Sequence, residues 1–417
     1  MADRYVGIKN GNIYIVSNYV FTNDGLHIIK LPSLLEGISS QDLITNYKFK
    51  NGQIMAKSAR KPAQELKIAL VSNYGTKCGI ATYSKFLYNE LTKLVGDYKL
   101  FIERDGELIS DEKIIPCWKR GESLLELINE IKKYDPDIVL IQHEFGLWPN
   151  ARYWLSLMNQ LSEFRIIITM HSIYHHRDKT IVEAAMPEII VHLQEAADVL
   201  QKEKGITGKV HVIKHGCFPC LNKERLWNFY QSEQTFITAG FGFRYKGFSN
   251  SIIAVSILKQ KYPNVFFTAL FSESPHNMVG HQIYYNELMI LVEKLGVQEN
   301  VAIIRGFQSE EVLDSYLRTN KVAVFPYAYE KNHECFGASG QAPLAMSKNI
   351  PVITSDIHHF RSLPSIKAGT PEEIAKELDK LFSDSKLVQE QLAKQEVYLL
   401  ENSWKNTAER YIKVFES

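Results

Sequence analysis

The residues best suited to chemistry lie in one glycine-containing loop, FPYAYEKNHECFGASG. The loop follows an apolar run at 322–325 that predicts a buried strand. Glu334 stands just before Gly337, and Ala338 and Ser339 come where a helix of small residues is expected to begin. Sugar hydroxyls bind a carboxylate acceptor, and a diphosphate binds unpaired backbone amides at a helix start. The loop offers groups for both.

A second glycine-broken loop, TAGFGFRYKGFSNSI, leads from a predicted strand into a predicted helix. Arg244 and Lys246 lie inside it, between Gly242 and Gly247. Two cations beside the amides of a helix start form a pocket for a diphosphate. The alternative is a solvated loop with ordinary charges, and the flanking glycines favour the phosphate interpretation.

In the first half of the chain, Gly79 stands at the predicted start of a helix in NYGTKCGIATYS. The amides there could receive an anion or a sugar hydroxyl, or the glycine could simply ease the bend into the helix. The sequence leaves both open.

Two further loops, QHEFG and TMHSIYHH, place His143, Glu144 and His171 directly after predicted strands. At adjacent strand ends these side chains would face one crevice, where they could orient hydroxyls or exchange protons. The alternative is a set of surface loop residues. The members assigned to that alternative are His175, His176 and Asp178.

Metal and redox chemistry have little support in the sequence. His171 and His175 have HxxxH spacing but lack a glutamate beside the first histidine, and they lie in a loop. Cys217 and Cys220 form a CxxC with no second pair. We therefore expect neither a metal site nor a redox site.

From Leu66 onward, β-branched apolar runs alternate with segments of helical period, which is typical of βαβ units around parallel sheets. Ligands of such sheets bind beyond the carboxyl ends of the strands, where these loops lie. We predict Rossmann-like domains at 66–220 and 221–400, followed at 401–417 by a helix with one apolar face. Strands are predicted near 67–72, 100–103, 138–142, 166–169, 210–213, 236–239, 265–271, 301–305, 322–325 and 352–354. The apolar face comprises Trp404, Ala408, Tyr411, Ile412 and Phe415.

The first 65 residues have a different character. Asn10-Gly11, Asp24-Gly25 and Asn51-Gly52 punctuate short β-rich runs. These dipeptides are hairpin turn signals, so we predict a small antiparallel appendage.

Bulk properties narrow the class of protein. The 417 residues fit two domains, and a formal charge of +1 gives no global field for nucleic acid. No run approaches the length of about 18 apolar residues that a membrane span needs. Five cysteines suit reduced thiols. The cytoplasm is the expected location, with peripheral contact to a membrane left open.

Together these pieces resemble the retaining GT-B glycosyltransferases of group 1, the family 4-like type. The resemblance extends from residue 66 to the end and rests on the order and spacing of its motifs. The loops CGIATY and QHEFG are most similar to a subset in which mannosyltransferases are common. The matching pieces are ALVSNYGTKCGIATYS, LIQHEFG, ITMHS, KVHVIKHG, GFRYKG, the block 305–317, FPYAYEKNHECFG and SWKNTAERYIKVFE.

The resemblance implies roles for individual residues. Gly79 would lie near the donor phosphates, and His171 would line the reaction centre. Lys246, aided by Arg244, would bind the diphosphate. His143 and Glu144 would belong to the acceptor side.

Glu334 matches the first glutamate of the family's paired-glutamate motif and would hold hydroxyls of the donor sugar. The backbone amides of Phe336, Gly337 and Ala338 would meet the phosphates, with Ser339 beside them.

Two departures from the family pattern concern the donor. The second glutamate, which usually binds the ribose, is replaced by Ala342 or Leu344, depending on the alignment, and Gln341 is the nearest polar residue. The arginine of the family's GRLxxxKG loop is Phe241 here, and Arg244 could substitute for it.

The implied activity is transfer of a hexosyl group, mannosyl or glucosyl, from a nucleoside diphosphate sugar to a glycan, lipid-linked or other hydroxyl acceptor. The resemblance implies retention of configuration and no metal ion or other cofactor. The alternatives are a catalytically inactive sugar-nucleotide-binding or scaffold protein, a transferase acting on modified nucleic acid, a phosphorylase and a sugar-nucleotide epimerase. The oligomeric state is left open.

Overall fold

The computed structural model describes most of the chain from residue 61 onward. The described ranges are 61–105, 111–176, 188–203, 205–206, 208–224, 226, 232–274, 277–329 and 334–417. Within residues 1–60 it describes Ser39 and the backbone of five strands.

The N-terminal strands pair in antiparallel fashion, as the turn signals predicted. The register pairs Lys9 with Asn12 and Lys50 with Gln53. The Asn10-Gly11, Asp24-Gly25 and Asn51-Gly52 signals themselves lie outside the described residues. The strands are β1 (Tyr5–Lys9), β2 (Asn12–Ile15), β3 (His27–Lys30), β4 (Tyr47–Lys50) and β5 (Gln53–Ala56).

A parallel sheet of seven strands follows, in the order β12-β11-β10-β9-β6-β7-β8. Its strands are β6 (Lys67–Ser72), β7 (Asp97–Glu103), β8 (Ile114–Trp118), β9 (Ile138–His143), β10 (Arg165–Met170), β11 (Glu188–Val191) and β12 (Val210–Val212). The helices of this region are α1 (Gly79–Leu91), α2 (Leu125–Tyr134), α3 (Ala151–Gln160) and α4 (Gln194–Asp198). Strands β8 and β11 were not predicted from the sequence.

A second parallel sheet has six strands in the order β15-β14-β13-β16-β17-β18. Its strands are β13 (Thr235–Phe241), β14 (Phe266–Ser272), β15 (Val301–Arg305), β16 (Val322–Phe325), β17 (Val352–Thr354) and β18 (Ile366–Lys367). The helices are α5 (Phe248–Leu258), α6 (Met278–Leu295), α7 (Glu310–Thr319), α8 (Gln341–Met346), α9 (Pro371–Ser383), α10 (Ser385–Glu401) and α11 (Trp404–Phe415). The short strand β18 was not predicted.

Both faces of the first sheet are covered by apolar side chains. Leu140 packs in one buried cluster with Leu87 of α1 and Tyr411 of α11, whereas Ile141 packs on the opposite face with Trp154 of α3. Burial of alternate residues on opposite faces is what a central parallel strand requires. The two-domain α/β architecture predicted from the sequence is therefore confirmed.

Two segments of the chain that run between the two domains, near Cys217 and near Asn402, are hydrogen-bonded to each other. The amide of Cys217 donates to the carbonyl of Asn402 (2.9 Å), and the amide of Trp404 donates to the carbonyl of Cys217 (3.1 Å). Cys217 and Cys220 are both free thiols. After this bridge α11 lies on α1, where the hydroxyl of Tyr411 is 3.0 Å from that of Tyr83. The predicted domain limits at 65, 220 and 400 stay a prediction.

None of the helices described here combines the length and the apolarity that crossing a bilayer requires.

Candidate functional site

Helix α1 begins at Gly79 without a side-chain cap. Cys78 precedes it in an extended conformation and makes no capping hydrogen bond. A Cβ built on Gly79 would meet no atom within 4 Å. Open space therefore lies beside the first turn, whose amides are the partial positive end of a 13-residue helix.

His171 follows β10 and is oriented by its neighbours. Its Nε2 lies 2.8 Å from the side-chain oxygen of Gln142, so Nε2 carries the proton and donates it. The ring of Tyr83 meets it edge-on at 4.6 Å. Burial, reinforced by the neighbouring imidazole of His192, lowers the pKa of His171 well below its usual value. The ring is neutral at physiological pH.

His143 and Glu144 are neighbours in sequence but occupy different environments. The ring of His143 is 1% exposed and packs between Phe145 (5.1 Å) and Trp154 (4.9 Å). Burial lowers its pKa to about 3. Glu144 is partly exposed and accepts a hydrogen bond from the hydroxyl of Ser172. Only Glu144 of this pair therefore presents a polar group to the loops, because His143 points into the core on the α3 side of the sheet.

The loop with Lys246 is held tightly against β16. Gly247 has φ +71°, and a Cβ there would come within 2.0 Å of the carbonyl oxygen of Pro326. A larger residue could not approach this closely. The loop therefore fixes Lys246 with its Nζ 3.9 Å from the ring centroid of Tyr327 and 4.9 Å from that of Tyr245.

The two cations of this loop differ in their partners. Burial opposes the charge of Lys246, but the phenol groups of Tyr245 and Tyr327 outweigh it and raise the pKa of the ammonium. Arg244 instead pairs with Glu287 at 2.5 Å, and its side chain is 59% exposed. Lys246 is thus a charged group held on aromatic rings, whereas a carboxylate already compensates Arg244.

The loop with Glu334 is hydrogen-bonded to the loop that carries His171. The amide of Phe336 donates to the carbonyl of Ile173 (2.9 Å), and the amide of Ile173 donates back (3.3 Å). A Cβ on Gly337 would lie 2.4 Å from the carbonyl oxygen of His171. The amide of Phe336 is therefore bonded to the opposite domain in this structure, and its contact with a phosphate stays a prediction.

The Glu334 carboxylate lies at the same junction. It is 52% exposed, and its Oε2 lies 3.9 Å from Nε2 of both His175 and His358. The ring of Phe336 packs against both imidazoles, with its centroid 4.4 Å from that of His358. Glu334 and His171 are therefore on loops that touch.

A small crevice lies between the two sheets and is lined by residues of both. The first domain contributes His192 and His215, and the second contributes Ala338, Ser339 and His359. Of the residues predicted from sequence, Ala338 and Ser339 line it. The three histidines were missed, although each follows a strand. The signal was weak for His192 because its strand, β11, is only four residues long.

Two positions depart from the family pattern, that of the second glutamate and that of the arginine in the GRLxxxKG loop. Ala342 is fully buried within α8, whereas Leu344 is partly buried. Gln341 begins the helix and is partly exposed. Phe241 lies beside the rings of Phe243 and Phe307, each at 6.2 Å.

In the part of the chain that the structure describes, no three or more His, Cys, Asp or Glu side chains are grouped to hold an ion. His175 of the HxxxH pair has its Nδ1 2.6 Å from Glu203.

Comparison with known proteins gives one family and many similar folds. Residues 222–412 match the model of the family described as glycosyl transferases group 1. No curated protein matches the chain. A glycosyltransferase of Rickettsia africae is similar over 84% of this chain and 98% of its own, with a TM-score of 0.65 and 13% identity.

Two further structures were determined with ligands. A trehalose-phosphate synthase of Burkholderia xenovorans with glucose-6-phosphate covers 84% of this chain and 100% of its own, with a TM-score of 0.67 and 11% identity. An Anabaena protein with UDP and glucose covers 84% of this chain and 99% of its own, with a TM-score of 0.62 and 11% identity. At these identities the likeness shows the fold. The chain therefore has the GT-B fold, and its C-terminal region matches the model of the group 1 glycosyl transferases.

Proposed function

We propose that the protein transfers a hexosyl group, mannosyl or glucosyl, from a nucleoside diphosphate sugar to an acceptor hydroxyl. The observation that carries the proposal is the pair of hydrogen bonds between Phe336 and Ile173. They join the loop of Glu334 to the loop of His171 across the cleft. A carboxylate for sugar hydroxyls thereby lies beside a loop of the opposite domain.

The donor diphosphate binds to the second domain in this proposal. Lys246 compensates its charge, and the amides of Gly337 and Ala338 add hydrogen bonds. Such fixed charges stabilise the negative leaving group in the transition state. No metal ion is needed when a cation and backbone dipoles take that role.

The hexose lies between Glu334 and His171, with Gly79 opposite the phosphates. Because Glu334 binds hydroxyls, it is not a nucleophile, and we propose a front-face substitution. The acceptor oxygen bonds to the anomeric carbon as the bond to the phosphate oxygen breaks. The departing phosphate accepts the acceptor's proton, and configuration is retained.

The acceptor is a glycan, a lipid-linked sugar or another hydroxyl compound, and Glu144 is the residue proposed for its side. We place the reaction in the cytoplasm. Modified nucleic acid remains an alternative acceptor class, but the formal charge of +1 supplies no general attraction for it.

A panel of nucleotide sugars tests the proposal by thermal shift, since a bound donor stabilises the folded state. The best donor is then incubated with candidate acceptors, with and without a chelator, and the anomeric configuration of the product is read by NMR. We expect a retained product that the chelator does not suppress, and its loss in Glu334→Gln. Stabilisation by no nucleotide sugar, or an inverted product, contradicts the proposal.

A second candidate is an inactive sugar-nucleotide-binding protein. It is favoured by Ala342, which is fully buried where the family places a ribose-binding glutamate. Donor binding without turnover for any acceptor would support this candidate.

A further inference from the structure

Three adjacent strands of the first sheet are each followed by a histidine. His171 follows β10, His192 follows β11 and His215 lies three residues beyond β12. The ring centroids of His171 and His192 are 5.1 Å apart, and those of His192 and His215 are 5.6 Å apart. Tyr83 contacts all three, at 4.6, 5.2 and 4.9 Å. The rings therefore form a fixed row along the sheet edge.

Hydrogen bonds define the tautomers of the last two rings. His192 Nδ1 lies 2.9 Å from the carbonyl oxygen of Ile213, and His215 Nδ1 lies 2.7 Å from that of Gly216. A carbonyl oxygen can only accept, so Nδ1 carries the proton in both rings. Each Nε2 then has a lone pair that can accept a hydrogen bond.

The Nε2 atom of His192 lacks a partner. The residue is 3% exposed, and among the described residues no hydrogen bond reaches this nitrogen. A buried polar atom without a partner is unfavourable by about 1–3 kcal/mol, so a ligand group that donates a hydrogen bond to it is stabilised there. His192 and His215 both line the crevice that Ala338 and Ser339 close from the other domain.

The protonation state of His192 and His215, which form one wall of the crevice, determines which ligand groups can bind there. Burial lowers the pKa of His192 to about 4 and that of His215 to about 3, so both rings are neutral at pH 7. A lone pair accepts a hydrogen bond from a hydroxyl group, whereas an ionised phosphate oxygen has no proton to offer. The wall is therefore suited to the hydroxyls of a sugar and unsuited to the diphosphate.

We propose that His192 and His215 form a sugar-hydroxyl subsite, in which the Nε2 atoms accept hydrogen bonds from the substrate. This inference rests on the proposed function, because it places a sugar next to the residues assigned to the donor. The hydroxyl belongs either to the transferred hexose or to an acceptor sugar. The chemistry is the same in both cases, and the experiment separates them.

The test compares His192→Asn with His192→Gln. An asparagine amide can place its N–H near the position of Nδ1 and keep the bond to Ile213, but it does not reach the position of Nε2. A glutamine oxygen reaches that position and restores an acceptor. His215→Asn is the second variant, at a partly exposed site. The control is His211→Asn, because His211 pairs with Glu188 at 3.3 Å and does not line the crevice.

Calorimetry measures the binding of the nucleoside diphosphate and of the nucleotide sugar, and steady-state kinetics measures KM for the acceptor. We expect His192→Asn to bind the diphosphate as the unaltered protein does. Either the nucleotide sugar binds about tenfold more weakly or the acceptor KM rises about tenfold, which is the size of one lost hydrogen bond. His192→Gln recovers part of that loss. A loss in the first arm assigns the hydroxyl to the transferred hexose, and a loss in the second assigns it to the acceptor.

Unchanged values in both arms for His192→Asn and His215→Asn would overturn the subsite and leave the proposed function standing. If the unaltered protein bound neither the diphosphate nor the nucleotide sugar, the proposed function would fail as well.

Discussion

The histidine rings that the N-terminal sheet presents at the cleft are neutral, whereas the C-terminal sheet presents a cation, a carboxylate and backbone amides. His171, His192 and His215 are uncharged because burial lowers their pKa values. On the opposite side Lys246 keeps its charge on the tyrosine rings, and Glu334 is half exposed. A nucleotide sugar has a matching division, since its diphosphate is charged and its hexose is not.

This contrast between neutral and charged groups predicts that Lys246→Ala causes the largest loss of kcat/KM. Removal of a fixed charge beside the leaving group should lower kcat/KM at least 100-fold, about the size of losing one preorganised donor. Lys246→Met keeps the apolar stem on Tyr327 and reports whether folding contributes. The control is Lys261→Ala, since Lys261 is exposed and pairs with Asp379 at 2.6 Å. Steady-state kinetics with the best donor gives the comparison. A loss of kcat/KM below threefold for Lys246→Ala would contradict the role of Lys246 in binding the diphosphate.

Alanine substitutions at two glycines test two different features, the contact between the domains at Gly337 and the space beside helix α1 at Gly79. Gly337→Ala forces a Cβ to within 2.4 Å of the His171 carbonyl, so the loops must move apart, and activity should fall about tenfold or more. Gly79→Ala adds a methyl group into open space. It should leave the melting temperature unchanged yet weaken donor binding severalfold if the phosphates approach α1. Thermal melting and donor titration measure both, and unaltered donor affinity in Gly79→Ala removes Gly79 from the site.

The dependence of folding stability on pH tests whether the buried histidine His143 of the N-terminal sheet is neutral. His143 has a folded pKa of about 3, and an unfolded histidine has one of about 6.5. Between these values the unfolded state binds the additional proton, so folding stability falls as pH decreases from 6.5. His143→Phe should recover roughly 2 kcal/mol of the stability lost between pH 7 and pH 5. Urea unfolding midpoints at pH 7 and pH 5 measure this loss of stability, and His176→Phe, at an exposed histidine, is the control. Equal losses in the unaltered protein and both variants would contradict the low pKa of His143.

Arg244 should matter least of the residues assigned to the donor. Its guanidinium must leave Glu287 before it can meet a phosphate. Arg244→Gln should therefore reduce kcat/KM by less than tenfold, well below the effect of Lys246→Ala. A loss equal to that of Lys246→Ala, measured with the same donor, would show that the salt bridge opens on binding.

The sequence predicted the fold well because apolar periodicity is a local property. All ten predicted strands occur in the structure. The missed strands are short or unusual, such as β8, which contains Pro116, and β11, which has four residues. Missing β11 concealed that His192 follows a strand, and so concealed part of the crevice.

The site was harder to predict because its partners are distant in sequence. The pairing of Arg244 with Glu287 spans 43 residues, and the bond between Phe336 and Ile173 joins the two domains. No local pattern reports such contacts. The burial of His143 was accessible, since strand alternation places it on the same face as Ile141.

A crystal structure with the most stabilising nucleotide sugar shows where the diphosphate and the hexose bind. We expect phosphate oxygens within about 3 Å of Lys246 Nζ and of the amides of Gly337 and Ala338, with the hexose between Glu334 and His171. A diphosphate bound against the histidine row, with the hexose remote from Glu334, would contradict this expectation.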